Sequence, residues 1–247
     1  MGLTGQKNHR IVRAIMEGTE VSNAANERWI RFQGNVYDKT GNALTQVVNE
    51  CLGFGVDRIH LMVSSTGGNV FYGSNLFSHL RRLPIKISTY NISTIQSIGV
   101  TLFCAGDERY CVPEANFMIH PVLLQPIQNQ FLNAQQFQEL SDICTAQTRS
   151  IANIIATTTG QSLDQVYEDM NRTTWFNAQQ SQSYGLVNTV VTELLPPHAE
   201  LTAIYEDGTV RTYTPSTSRI QKLPDLAALG LKFPAAPGIP NTSSGAN

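Results

Sequence analysis

Charge is scarce in this chain. Its 247 residues hold 17 Lys and Arg against 19 Asp and Glu, a formal net charge of −2, and no long run of one sign. That balance argues against nucleic acid and anionic membranes as partners, because neither would meet a surface of opposite charge. Long apolar runs are also missing. The amino-terminal stretch MGLTGQKNHRIVRAIMEGTE carries basic residues without an uninterrupted apolar core, and no later segment approaches the ~20 residues of a membrane span. The expectation is a soluble, cytoplasmic protein. Cysteine is sparse: Cys51, Cys104, Cys111 and Cys144 stand apart in apolar contexts without CxxC spacing, which predicts reduced core thiols rather than a disulfide or zinc framework. The fingerprints GxGxxG and GxxxxGK[ST] are absent, so dinucleotide and phosphate-loop nucleotide binding are not expected, and no motif implies a metal or organic cofactor.

What is present is enough apolar residue, 41%, for a sizeable core, arranged in alternating strands and helices. RWIRFQGNV from Arg28 reads as a strand, ALTQVVNECLGFG from Ala43 as an amphipathic helix and RIHLMVSS from Arg58 as a second strand. After TGGNV, FYGSNLFSHLRRL reads as a helix ended by Pro84, IKISTYNI as a third strand, then a helix closed by Gly106 and the short strands RYCVP and ANFMIHP. This order predicts parallel pairing with right-handed crossovers, an α/β domain. From Asn133 a long amphipathic helix runs to about Ala156 with Gly160 as its stop, and its apolar positions exceed what one sheet face can cover. Beyond Leu195 come a small hairpin around EDGTVRTY and a Pro-, Gly- and Ser-rich stretch expected to be disordered.

Three features can carry chemistry. In SSTGGNV, Ser64 to Val70, two glycines follow a strand and precede a helix; they serve either a tight turn or close approach of a ligand to exposed N–H groups. Ser97 stands at a strand-to-helix junction, where a hydroxyl acts as an N-cap or as a nucleophile, and Ile95 breaks the nucleophile-elbow pattern GxSxG. His120 ends the apolar strand ANFMIHP, as a structural residue or as a general base for a nucleophile within reach.

In order and spacing, from about Arg28 to Val191, these pieces resemble the proteolytic subunit of the Clp protease, which has the ClpP/crotonase fold. The resemblance rests on SSTGGNV, TYNISTIQSIGVTLFCAG, VPEANFMIHP, the long helix and ATTTGQSLDQVYEDMNRTTWFNAQQSQSYGLVN. It implies a spiral of repeated β-β-α units with a protruding handle helix. It further implies Ser97 as nucleophile, His120 as base and the backbone N–H groups of Gly68 and Ile98 as oxyanion hole. The third triad position falls on Thr173 where the family has aspartate, Thr66 replaces the proline before the glycines, Gln96 replaces a small residue, and Pro126 interrupts VLLQPIQNQ where the family pairs its substrate. A threonine hydroxyl can accept from the imidazole but brings no charge, and losing the acid of a triad costs about 10⁴ in kcat.

The resulting division is an amino-terminal segment 1–27, a ClpP-like serine peptidase domain 28–195 and a carboxy-terminal extension 196–247. The implied activity is endopeptidase action on unfolded polypeptide inside a closed chamber, a homo-oligomer of heptameric or stacked rings, with ATP used by a separate AAA+ unfoldase. Two further readings stay open: a non-catalytic ring or scaffold subunit that keeps the fold, and a crotonase-like acyl-CoA enzyme.

Overall fold

The computed structural model describes residues 26–124, 131–197 and 199–214. Most of the amino-terminal segment, Pro126 and the tail beyond Thr214, for which the sequence predicts disorder, lie outside the described residues. The central strand is β2 (Arg58–Ser65), where five consecutive residues from Ile59 to Val63 are buried. Such a run is what a strand covered on both faces requires. β1 (Glu27–Gln33) pairs with it in parallel on one side and β3 (Lys86–Gln96) on the other. Between them run α1 (Asp38–Gly53) and α2 (Val70–Leu80), whose N-cap Asn69 accepts from the Phe71 N–H at 2.9 Å.

β3 then changes partner along its length. Ser88 to Asn91 pair with β4 (Glu108–Cys111), while Thr94 to Gln96 pair with β5 (Asn116–Ile119). The fork turns the sheet into a spiral, with the short α3 (Gly99–Cys104) leaving from its branch. β5 continues into β6 (Thr174–Asn177), its antiparallel neighbour, and β4 into β7 (Thr189–Val190). Between β5 and β6 stand α4 (Ala134–Thr159) and α5 (Leu163–Asn171), and α6 (Ala178–Tyr184) follows β6. The α/β spiral with a long protruding helix is the expected fold.

α4 is capped where the sequence indicates. Asn133 accepts from the Gln136 N–H and Gln136 reciprocates, and Gly160 closes the helix at φ 79°. Its buried residues, Thr148 to Ala156, all lie in the second half, so the first half projects. Cys51, Cys104 and Cys111 are buried and Cys144 is half-buried on α4, all four as free thiols.

One boundary differs from the sequence division. β8 (Leu201–Ile204) pairs in parallel with β1, and β9 (Val210–Tyr213) pairs antiparallel with β8. The hairpin assigned to the extension is therefore the sheet's outer edge, with Ala203 and Ile204 fully buried, and the compact unit runs to Thr214 rather than 195. Short alternating strands in a polar segment give little composition signal, and only the exposed edge of β1 shows where they belong.

Candidate active site

The fork in β3 brings the two candidate residues together. Gln96 is in register with Met118, and the Ser97 N–H donates to the Met118 carbonyl at 2.8 Å. Ser97 and His120 thus emerge at the same ends of adjacent parallel strands. Ser97 adopts φ 55°, a left-handed conformation, and lies one residue before the helical cap position, held by Ile98 without a side-chain cap bond. Its hydroxyl makes no hydrogen bond among the described residues, so the structure gives it no capping role.

Both residues border a cavity of about 230 Å³, together with Gly68 and Ile98. Gly67 sits so close to the serine that a Cβ there would lie 2.6 Å from Ser97 Cβ, and one at Gly68 would strike the Val36 carbonyl. Their φ values of 109° and 143° are open to glycine alone. Val36 clamps this turn from behind: its N–H donates to the Gly67 carbonyl at 2.7 Å and its carbonyl accepts from Asn69 N–H at 2.9 Å. The Gly68 and Ile98 N–H groups donate to no acceptor among the described residues. The rest of the wall is apolar, with Ile151 and Ile155 from α4 and Met170 from α5. Sequence reasoning missed this wall; the four-residue spacing of Ile151 and Ile155 at the buried end of the long helix was its signal.

The imidazole is oriented by the main chain. His120 Nδ1 lies 2.6 Å from the Pro121 carbonyl, which only accepts, so Nδ1 carries the proton and Nε2 of the neutral ring is free to take one. Thr173 does not meet this nitrogen. It is exposed and outside the cavity lining, with φ 55° and its N–H on the Met170 carbonyl at 2.9 Å. The expectation that its hydroxyl accepts from the imidazole is thus replaced by the Pro121 contact. Register nevertheless places it near: Ile119 pairs with Thr174, so position 173 faces His120 across the β5–β6 ladder.

Asp169, the acidic residue close by in sequence, is buried on α5 and fully engaged. Tyr184 OH donates to it at 2.8 Å, Gln165 Nε2 at 3.0 Å and Arg172 Nη2 at 2.5 Å. Burial pushes its pKa up, but these three donors outweigh burial and hold the carboxylate below its usual range. The carboxylate serves the α5–α6 junction instead of the cavity.

A forked sheet with a glycine turn, a serine and a histidine around one cavity defines an α/β spiral domain with a candidate nucleophile and base. Comparison with known proteins narrows this. The family model described as Clp protease matches residues 16–194, and the chain belongs to that family. The ATP-dependent Clp protease proteolytic subunit 1 of Corynebacterium jeikeium is 33% identical over 136 residues, covering 54% of this chain and 70% of that protein. Proteolytic subunit 2 of Pseudomonas aeruginosa is 28% identical over 169 residues, covering 66% and 81%. A solved structure of a ClpP1 mutant from Listeria monocytogenes shares the fold with a TM-score of 0.60 at 20% identity, covering 67% of this chain and 92% of that one. Among the described residues no helix is long and apolar enough to cross a membrane.

Proposed function

We infer that the chain is a Clp-type serine endopeptidase subunit of low intrinsic turnover, with Ser97 as nucleophile and His120 as base. The observation that carries this reading is the meeting of Ser97, a His120 whose Nε2 is free, and the uncommitted N–H groups of Gly68 and Ile98 at one cavity. Ser97 Oγ attacks the scissile carbonyl carbon as its proton passes to His120 Nε2, and the oxyanion takes hydrogen bonds from Gly68 and Ile98. The imidazolium returns the proton to the leaving amine. Water, deprotonated by the same nitrogen, then cleaves the acyl ester and restores the serine. The apolar wall of Ile151, Ile155 and Met170 suits an uncharged side chain beside the scissile bond.

The weak point is the charge behind the imidazole. A carbonyl dipole at Pro121 orients the ring but stabilises the imidazolium less than a carboxylate, and triads without their acid lose about 10⁴ in kcat. By analogy with relatives named as ATP-dependent, the working unit is a ring of copies in the cytoplasm, fed unfolded polypeptide by a separate ATPase. A scaffold subunit without turnover is the second reading, favoured by the exposed Thr173 and the unbonded Ser97 hydroxyl. Hydrolysis of a fluorogenic peptide decides between them: slow activity abolished by Ser97→Ala and by His120→Ala supports the peptidase, and a background rate unchanged by either supports the scaffold.

A further inference from the structure

We propose that the carboxy-terminal hairpin β8–β9 is a positioning element for the oxyanion turn, acting through Glu206 and Asn35; this rests on the peptidase reading. The hairpin lies beyond residue 194, where the family match ends. Its turn, closed by the Tyr205 N–H donating to the Thr209 carbonyl at 3.0 Å, sets Glu206 over the strip Gly34–Asn35–Val36 that leaves β1. Glu206 Oε2 accepts from the Asn35 N–H at 2.5 Å. Gly34, at φ 139°, has no room for a Cβ, which would strike Glu206 Oε2 and come 2.9 Å from Glu206 Cα.

From the strip the contact continues into the site. Asn35 Oδ1 accepts from the Thr66 hydroxyl, and Thr66 immediately precedes the two glycines. Val36, the next residue, makes the two backbone bonds that flank Gly68, to the Gly67 carbonyl and from the Asn69 N–H. Those bonds face the peptide plane so that the Gly68 N–H stays uncommitted. Glu206 therefore stands two hydrogen bonds from the turn that carries an oxyanion donor. A cavity of about 400 Å³, lined by Gln33, Gly34, Thr66 and Glu206, opens beside the strip, and Glu206 is the side chain that accepts from the Asn35 N–H, while the buried Thr40 hydroxyl donates to the Asn35 carbonyl at 2.6 Å from the α1 side. Donors aimed at a developing charge act only when held in position before the reaction, and a strip that shifts by a fraction of an ångström releases Gly68 from that position.

The test combines hydrogen exchange with kinetics in the full chain. Exchange is followed by mass spectrometry in segments 34–38 and 66–70, and kcat and KM are measured on a short peptide, for wild type, Glu206→Ala and Glu206→Gln. The alanine variant should speed exchange in both segments and lower kcat, each roughly tenfold, with KM and melting temperature unchanged. The glutamine variant keeps a carbonyl acceptor for Asn35 N–H and should restore most of both. Unchanged exchange in Glu206→Ala overturns the proposal whatever the activity, and faster exchange with unchanged kcat overturns the positioning role. Faster exchange in a chain that never hydrolyses peptide supports the brace while removing the peptidase reading on which its catalytic meaning depends.

Discussion

Ser97 and Thr173 are the non-glycine residues with left-handed φ among those described, both at 55°. For an L-residue that conformation costs roughly 1–2 kcal/mol, and a β-branched side chain fits it worst. At Ser97 the strain is imposed by the β3–β5 register and the abutting Gly67, and it lifts the serine out of the helix end. At Thr173 nothing in the side-chain contacts repays it. The left-handed region favours Asn and Asp, so the position keeps a backbone suited to the residue that the family resemblance implies. Thr173→Asn and Thr173→Asp should both stabilise the fold by about 1 kcal/mol in urea unfolding. Only the aspartate should also raise kcat, roughly tenfold or more, by giving His120 Nδ1 a charged acceptor in place of the Pro121 carbonyl. Equal activity of the two variants would show that position 173 does not reach the imidazole.

Elements differ in how far the sequence reveals them. β2 is legible because RIHLMVSS is apolar from Ile59 to Val63 apart from His60, and α4 because Asn133 and Gly160 mark its ends and its apolar spacing is helical. The start of α1 is hidden: the pattern begins at Ala43, but the helix begins at Asp38, where Thr40 Oγ1 accepts from the Tyr37 N–H at 3.0 Å and Gly41 packs against Tyr72. β6 leaves almost no trace, since only Phe176 of its four residues is buried. Ser97, His120, Gly68 and Ile98 are legible by order along the chain; the Pro121 acceptor is not, because a main-chain contact has no side-chain signature. β2 also carries a pH-dependent feature. The His60 ring stacks on Trp29 at 4.0 Å, bonds Tyr90 OH at 2.9 Å and lies 3.1 Å from Glu27, with Arg58 and Glu108 near. Burial lowers its pKa despite Glu27. The folded chain then binds fewer protons than the unfolded one, so this contribution is present above about pH 6.5 and lost as pH falls through and below that value. His60→Leu should flatten the fall in urea midpoint between pH 7.5 and 5.5; an identical slope would remove His60 as its source.

At the scale of the whole molecule, the projecting half of α4 bears Phe137 and Ile143, and Phe131 precedes it, all exposed. Apolar side chains grouped on a helix that leaves the domain need a partner surface. We expect sedimentation at micromolar concentration to show an oligomer, and Phe137→Glu with Ile143→Glu to shift it to smaller species. A wild-type chain that sediments as a monomer contradicts this. The pairing of β8 with β1 extends the compact unit to Thr214, so full-length chain is the material for chemistry. The most direct measurement is covalent: react the assembled full-length chain with a fluorophosphonate and map the adduct by mass spectrometry. A single adduct on Ser97, lost in His120→Ala, is the predicted result, because only a serine with a base at Nε2 attacks the phosphorus. No adduct on Ser97 in a correctly folded assembly would contradict the assignment of this serine as a working nucleophile.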